Sequence, residues 1–401
     1  MKKVKLLWVG DAVASTGFAS VTHSVLDNLP RDKYDLDVLG INYYGDPHEY
    51  DYRIYPAVLG GDPFGINRIE PLIKDKNPDI ILLLNDPWNI NQYLERIPNY
   101  KGKIVVYFPV DAEEHSFRWF QYYNRVNKVC LYNDFAKKVV LGTGSEFITE
   151  DKIKVIPHGT DSRFFFPVEK ENAWKTIFPS QDISQYVNSF IVFNGNRNQP
   201  RKRIDITMWA FREFQKDKDD VKLYLHMGTT DAGVDIIELA LRYGYPNKLI
   251  ITGNTPGIPS VSKERLNLIY NCADVGLNTS EGEGWGLVNW EHAATRTPQI
   301  VPYNASTPNV WEPGTAMFIT AKIPKMHPAI NTVGRSPSLE HTIELLNTAY
   351  NDWKFNSSKG LDKIAESAYQ MVTEEKYSWK SIANSFDEVF TEVLNDNNSV
   401  A

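Results

Sequence analysis

The sequence predicts an α/β protein built from two doubly wound parallel sheets. Apolar strand patterns alternate with helical patterns along most of the chain, and the alternation lapses once, near residues 157–190. The length agrees with this division, because 401 residues are enough for two domains with a core each. We therefore expect a first domain at 1–165, a linker at 166–190, a second domain at 191–375 and a closing helix at 376–401.

In the first half, five short segments have the pattern of buried strands: VKLLWVG, YDLDVLGINYY, DIILLLND, KIVVYFPVD and KVCLYND. Each is rich in apolar residues and bounded by polar or glycine-containing loops. Segments with helical spacing, such as VTHSVLDNL, lie between them. This order predicts a parallel sheet with helices on both faces.

The second half repeats the pattern with the strands SFIVFNGN, VKLYLHMG, KLIITGN, DVGLNTS and PQIVPYNAS. The helical segments between them include IDITMWAFREFQKD and GLVNWEHAATRT. We expect two Rossmann-like domains that face each other across a cleft. Open α/β sheets bind ligands at the carboxyl ends of their strands, so the loops that follow strands are the candidate sites.

Composition and charge argue against a nucleic-acid binder, a disulfide-rich protein and a membrane-spanning protein. The net charge of −7 argues against a general nucleic-acid binder, which usually carries a basic balance. The two cysteines, Cys130 and Cys272, match no metal spacing and predict no disulfide framework. The start of the chain lacks the pattern of a signal peptide, and no apolar run approaches the ~18 residues of a membrane span. We expect a cytoplasmic protein.

The first candidate loop, NGNRNQPRKRID, follows the first strand of the second half. It carries Arg197, Arg201, Lys202 and Arg203 within seven positions. Cations at the carboxyl end of a strand suit a phosphate or diphosphate. A solvated basic turn is the alternative interpretation.

The second candidate loop, SEGEGWGLVNWEHAA at 280–294, places Glu283 and Glu291 eight positions apart. Alternating glycines separate them and let a ligand approach the backbone closely, and the helix that follows offers free amides. A carboxylate can accept two hydroxyl groups at once, as a ribose diol or a sugar ring presents them. The two glutamates therefore suit sugar hydroxyls, with exposed acids on an ordinary loop as the alternative.

The third candidate loop begins at Thr252 and includes Gly253 and Asn254. Small polar residues at the end of a strand can offer backbone groups to a flat base, and a plain turn is the alternative. Taken together, the three loops suit a diphosphate, a ribose, a base and a sugar. We therefore expect the ligand to be a nucleotide-sugar.

These motifs resemble those of retaining glycosyltransferases with the GT-B fold, specifically family 4. Arg197 and Lys202 keep the spacing of the family's arginine and lysine, and EGEGWGL…E keeps both of its glutamates. VIPHGTDSRFFFP is similar to the family's linker, and SWKSIANSF to its helix that crosses back to the first domain. The likeness covers residues 150–395, while the first domain matches only in outline. YFPVD and NRNQPRKRID also resemble glycosyltransferases of large DNA viruses and phages.

The resemblance implies roles for these residues. Arg197 and Lys202 would hold the diphosphate and stabilise the leaving group, Glu283 would bind donor-sugar hydroxyls, and Glu291 would bind the ribose. The other implied donor contacts are Gly17, Phe18, Thr252, Gly253, Asn254, Gly284, Trp285, Gly286 and Leu287. The first-domain loop ASTGFAS lacks the double glycine that is commoner in the family.

Two further departures concern the reacting carbon. Many relatives place a histidine after the fourth strand of the first domain, where this chain has FPVDAEEHS. Asp111 is the nearest match and is predicted either as an active-site residue or as a loop-capping aspartate, and His115 lies four residues later. After QIVPYN this chain has ASTPNVWE in place of a glycine-rich turn.

The resemblance implies a retaining glycosyltransferase that moves a sugar from a nucleotide diphosphate-sugar, UDP- or GDP-linked, to an acceptor hydroxyl of unknown identity. No cofactor and no metal are expected, because the cations would do the work of a metal ion. One alternative is transfer to a modified base in DNA. Another is a non-catalytic nucleotide-sugar-binding protein.

Overall fold

The structure is a computed structural model that describes residues 2–14, 16–179, 182–355 and 359–396. The chain divides into two compact units. The first unit consists of Met1–Gly159 and Trp379–Ala401, and the second of Thr160–Ser378. In the described ranges, no helix is both long enough and apolar enough to span a membrane.

The first unit contains seven parallel strands: β1 Val4–Asp11, β2 Tyr34–Ile41, β3 Arg53–Pro56, β4 Ile80–Leu84, β5 Lys103–Phe108, β6 Lys128–Leu131 and β7 Ile153–Val155. They form one sheet in the order β3-β2-β1-β4-β5-β6-β7. Its helices are α1 Gly17–Leu26, α2 Ile69–Lys76, α3 Pro87–Arg96, α4 Asp134–Gly144 and the C-terminal helix Trp379–Asn395. Strands such as β4 are buried along their whole length, as expected when helices cover both faces of a parallel sheet.

The C-terminal helix packs within the first unit, although it follows the second unit in sequence. Its Phe386 ring lies 6.0 Å from the ring of Trp8 and 5.0 Å from that of Tyr107, measured between centroids. Asp387 accepts hydrogen bonds from Lys33 Nζ at 2.7 Å and from the Tyr34 hydroxyl at 2.5 Å. The apolar face of this helix is therefore part of the core of the first unit.

The second unit contains a parallel sheet of six strands: β8 Phe190–Asn194, β9 Val221–Leu225, β10 Leu249–Ile251, β11 Val275–Leu277, β12 Gln299–Pro302 and β13 Met317–Ile319. Their order is β10-β9-β8-β11-β12-β13, and an antiparallel hairpin follows, β14 Ile323–His327 and β15 Thr332–Ser336. The helices are α5 Lys170–Ile177, α6 Ser184–Val187, α7 Ile204–Phe214, α8 Ile236–Arg242, α9 Lys263–Asn271, α10 Leu287–Ala293, α11 Thr307–Val310, α12 Leu339–Phe355 and α13 Gly360–Val372. The order reverses at β8 and β11, which defines the crevice where such sheets bind ligands.

The segment expected to be a linker, 166–190, instead belongs to the second unit. It contains α5 and α6, and α5 packs against α9. Trp174 is fully buried and donates to the carbonyl of Cys272 at 3.1 Å, and Lys170 pairs with Asp274 at 2.6 Å. Aromatic residues of this segment, such as Trp174, bury it against the second core.

Five strands were not among the sequence predictions: β3, β7, β13, β14 and β15. Two of these, β7 and β13, have only three residues each, too few for a periodic pattern to show. The hairpin strand β14 is exposed along most of its length, so the sequence lacks the apolar signature of a core strand there.

Candidate functional site

Arg197 lies in the loop between β8 and α7 and is held by an aspartate that the sequence did not indicate. Its Nε donates to Asp231 Oδ2 at 2.7 Å, and its Nη2 donates to Asp231 Oδ1 at 3.2 Å. The Arg197 side chain is 46% exposed, whereas that of Asp231 is 12% exposed. The guanidinium is therefore oriented by a buried carboxylate while part of it faces solvent.

Asn198 joins this loop to the segment that carries Asp231. The amide nitrogen of its side chain donates to the carbonyls of Gly228 at 3.1 Å and Val234 at 2.7 Å, and its side-chain oxygen accepts from the Val234 amide at 3.1 Å. Asn198 is fully buried. A Cβ on Gly233 would lie 2.0 Å from the Asn198 side-chain oxygen, so this position has room only for glycine. Asn198 therefore holds the loop after β8 against the segment that carries Asp231.

Lys202 and Glu283 form a buried ion pair. The Lys202 ammonium lies 2.6 and 2.7 Å from the two carboxylate oxygens of Glu283, and Asn278 donates to Oε1 at 3.1 Å. The two charged side chains are only 12% and 9% exposed. Burial on its own would raise the pKa of Glu283, but the charges of Lys202 and Arg201 and the hydrogen bonds from Lys202 and Asn278 outweigh it and lower the pKa to about 2. Glu283 is therefore an anion at neutral pH.

The remaining cations of the first loop also have partners in the two-glutamate loop. Arg201 donates to the carbonyl of Gly282 and lies 3.7 Å from a carboxylate oxygen of Glu283. Arg203 pairs with Glu281 at 2.9 Å, and His327 lies 3.1 Å from the other oxygen of Glu281. Glu281 is buried, with 2% exposure, and its contact with His327 links the two-glutamate loop to the β14–β15 hairpin. The solvated basic turn that was the alternative interpretation is therefore not what the structure shows.

The glycine turn between the two glutamates ends at Gly286, which has φ +89° and immediately precedes α10. This left-handed conformation favours glycine. The Trp285 ring is buried 4.9 Å from the ring of Trp290, so the turn is anchored in the core. Gly284 and Leu287 were also predicted as backbone contacts; Gly284 lies in this turn, and Leu287 is the first residue of α10.

Glu291 lies on α10 and accepts a hydrogen bond from the Tyr270 hydroxyl at 3.2 Å. Burial raises the pKa of Glu291 to about 7, while the Lys263 charge and the Tyr270 hydrogen bond act in the opposite direction. Asn278, which donates to Glu283, also donates to Asn289 of the same helix at 3.0 Å. Asn278 thus links Glu283 to the helix that carries Glu291, and the pKa values of the two glutamates are shifted in opposite directions.

The third predicted loop follows β10. The Thr252 hydroxyl is used inside the unit, because it lies 3.1 Å from the Tyr224 hydroxyl and 2.8 Å from His226 Nδ1. Burial lowers the pKa of His226 to about 4, so this imidazole is neutral at pH 7. Gly253 is partly exposed and Asn254 exposed, so their backbone is accessible at the carboxyl end of the strand.

The predicted residues of the first unit follow β1 and β5. Gly17 and Phe18 open α1, whose N-cap Thr16 accepts from the Ala19 amide at 3.1 Å. In the loop ASTGFAS, Ser15 lies outside the described residues.

Asp111 and His115 follow β5, and the His115 ring lies 5.1 Å from that of Trp119. Burial lowers the pKa of His115 to about 4, against the opposing charge of Asp111. His115 is therefore a neutral, buried side chain. Within the described ranges, no three His, Cys, Asp or Glu side chains cluster as metal ligands would.

Solved structures similar to this chain include a glycosyltransferase, a sugar-phosphate synthase and a protein solved with UDP and glucose. A glycosyltransferase from Rickettsia africae superposes with a TM-score of 0.71 at 18% identity, over 99% of this chain and 100% of that one. Sucrose-phosphate synthase from Thermosynechococcus elongatus gives 0.71 at 14% identity, over 98% and 99%. Anabaena HepE, solved with UDP and glucose, gives 0.71 at 14% identity, over 97% and 100%. The chain has the GT-B fold.

A similarity in sequence covers less of the chain. D-inositol 3-phosphate glycosyltransferase from Segniliparus rotundus is 30% identical over 152 residues, which span 37% of this chain and 31% of that protein. No protein-family model matches the chain. The predicted fold class is confirmed by these comparisons. The resemblance to viral and phage enzymes gains no support from the relatives named here.

Proposed function

We propose that this GT-B protein is a glycosyltransferase that moves a sugar from a nucleotide diphosphate-sugar to an acceptor hydroxyl. The observation that carries the proposal is the buried Lys202–Glu283 pair. It joins the loop after β8 to the loop after β11, and these neighbouring strands flank the reversal of strand order in the second sheet. A cation and a carboxylate built into that crevice suit a ligand that carries both a diphosphate and hydroxyl groups.

The proposed donor site uses Arg197 and Lys202 for the diphosphate. An arginine has five N–H donors, and Asp231 accepts two of those of Arg197. Glu283 accepts two hydrogen bonds from the ammonium of Lys202. The carboxylate partners hold both cations in place, and the diphosphate oxygens would bind the exposed part of the Arg197 guanidinium and the positive charge of Lys202. Glu283 would accept a donor-sugar hydroxyl, and Glu291 would accept the ribose hydroxyls.

The proposed reaction retains the configuration at the anomeric carbon. The bond from that carbon to the diphosphate oxygen breaks, and the acceptor oxygen bonds to the same face of the carbon. The acceptor proton passes to the departing diphosphate oxygen. Negative charge grows on the diphosphate in the transition state, where fixed cations such as Arg197 and Lys202 are most effective.

We further propose that the reaction needs no metal ion and no cofactor, because the two cations would supply the charge that a metal ion provides elsewhere. A UDP- or GDP-linked donor is proposed, and the UDP complex of HepE supports the uridine form. The roles of Gly17, Phe18 and Asp111, and the base contacts of Thr252 to Asn254, remain predictions.

Thermal melting against a panel of UDP-, GDP-, ADP-, CDP- and dTDP-sugars tests the donor site. One nucleotide-sugar should raise the melting temperature of the wild type and should stabilise Lys202→Ala and Glu291→Ala much less. Lys175→Ala, which removes an exposed lysine paired with Glu171, is the matched control and should respond like the wild type. If no nucleotide-sugar stabilises the wild type, the donor site as proposed is wrong.

A further inference from the structure

A cavity of about 410 Å³ lies in the second unit, at the carboxyl ends of β12 and β13. Its lining residues are Tyr303, Phe318, Thr320, Ala321, Lys322 and Arg335. None of them is among the residues of the proposed donor site. The size falls within the range of small-molecule sites, about 300–1,000 Å³.

Two aromatic side chains form one wall of this cavity. The rings of Tyr303 and Phe318 meet edge to face, with 5.4 Å between centroids. Tyr303 is 54% exposed, so an aromatic surface is presented to solvent at the mouth of the cavity. Such surfaces bind ring-shaped ligands that have an apolar face.

Positive charge also lines the cavity, at Lys322 and Arg335. Residues 320–338 contain Lys322, Lys325 and Arg335 and no Asp or Glu, in a chain with a net charge of −7. Across the described part of the chain, Lys322 has no carboxylate at ion-pair distance, and its side chain is exposed. A small anion could therefore bind Lys322 without displacing a carboxylate from it.

Backbone and side-chain hydrogen bonds hold the cavity in shape. The Tyr303 amide donates to Ile319 at 2.8 Å, and the Thr320 hydroxyl bonds His341 Nδ1 at 2.8 Å. The Arg335 amide donates to the carbonyl of Glu281 at 2.9 Å, so the wall of the cavity is one hydrogen bond from the two-glutamate loop.

We propose that this cavity is a second ligand site that binds a small phosphorylated ring compound, either a sugar phosphate or a nucleoside monophosphate. The phosphate lies against Lys322 and Arg335, and the ring lies against Tyr303. The site is separate from the donor site, and its existence does not depend on the proposed activity.

Isothermal titration of the full chain with glucose 6-phosphate and with UMP tests the proposal and distinguishes the two sources of the phosphate. Inorganic phosphate and glucose serve as the bare anion and the bare ring. At least one phosphorylated ring compound should bind more tightly than either fragment. Lys322→Ala should weaken that binding about tenfold, the value expected for one charge-assisted hydrogen bond. Tyr303→Ala should also weaken it.

Two control variants decide where the probe binds. Lys325→Ala removes a neighbouring lysine of the same hairpin that does not line the cavity, and it should leave the affinity unchanged. Lys202→Ala removes a cation of the proposed donor site and separates the two sites: UMP binding at the donor site should weaken, whereas the binding that depends on Lys322 and Tyr303 should remain. The proposal is overturned if neither probe binds, if Lys325→Ala weakens binding as much as Lys322→Ala, or if Lys202→Ala abolishes all binding of the probes.

Discussion

Replacing Lys202 with methionine would leave the Glu283 carboxylate buried without its main counter-charge. Methionine is unbranched and apolar, so the change removes the ammonium while keeping much of the side-chain volume. In the wild type, the two Lys202–Glu283 contacts of 2.6 and 2.7 Å are nearly closed to solvent, since the side chains are 12% and 9% exposed. We expect the second unit to lose stability.

The magnitude follows from the pKa of Glu283. The decrease from 4.5 to about 2 is the balance of burial against Lys202, Arg201 and Asn278 together, and it corresponds to about 3 kcal/mol at about 1.4 kcal/mol per pKa unit. Removing one partner of a buried pair typically costs about 3–5 kcal/mol. Arg201, 3.7 Å from the carboxylate, and Asn278 would remain. We therefore expect the free energy of unfolding of the second unit to fall by about 3 kcal/mol at pH 7.

Hydrogen exchange of the β8 and β11 amides measures this loss for the second unit separately. The cost should shrink toward pH 4.5, because burial raises the pKa of the unpaired Glu283 and a protonated carboxyl needs no counter-charge. In the wild type the depressed pKa stabilises the fold above about pH 4.5, and this contribution is lost only as the pH falls toward about 2.

Lys175→Met is the matched control, because Lys175 and Glu171 also lie 2.6 Å apart but are 60% and 58% exposed. It should change stability by less than about 1 kcal/mol. The double variant Lys202→Met/Glu283→Gln should recover part of the loss, since no buried charge remains. Equal costs for Lys202→Met and Lys175→Met, or a cost independent of pH, would refute the reasoning.

Four further predictions concern the same loops. Because the pKa of Glu291 is raised to about 7, nucleotide-sugar affinity measured by titration should increase from about pH 6 to about pH 8 as the carboxylate ionises, and Glu291→Gln should lose this dependence. The same raised pKa should make the native fold less stable as the pH rises from 4.5 through about 7, and Glu291→Gln should remove that slope. Asp231→Asn should tighten nucleotide-sugar binding several-fold at low salt, because Arg197 is then no longer neutralised, and the gain should shrink at high salt; weaker binding would contradict this. Asn198→Ala should lower the free energy of unfolding by about 1–3 kcal/mol, measured by hydrogen exchange, because the backbone partners of Asn198 lose their hydrogen bonds. A change below about 0.5 kcal/mol would count against a role of Asn198 in holding the two loops together.

The sequence predicted the regular part of the fold because long periodic segments are informative. Strands such as β4 and β5 are continuous apolar runs, and their alternation with helices implies parallel sheets whatever the details. The hairpin β14–β15 escaped prediction because β14 is exposed, and because the hairpin packs through the Arg335 amide and through His327 on Glu281. The segment therefore has no apolar pattern from which a strand could be predicted.

The residues of the candidate site were singled out from the sequence, but the contacts between them were not. Spacing and glycines singled out Arg197, Lys202, Glu283 and Glu291. The contact between Lys202 and Glu283 could not be predicted, because the two residues lie 81 positions apart and meet only when β8 and β11 become neighbours. Asp231 was missed because its contact with Arg197 also depends on the fold, and because an aspartate in a loop has many ordinary roles.

The central claim is that the Lys202–Glu283 crevice turns over a nucleotide-sugar. The most direct test is release of nucleoside diphosphate by the purified chain, with the UDP- and GDP-sugar panel and a broad mixture of acceptor hydroxyl compounds. One donor should be consumed by the wild type and by Lys175→Ala, at a rate that falls at least about a hundredfold in Lys202→Ala. Equal turnover in Lys202→Ala, or a donor that binds tightly and is never consumed, would contradict the account.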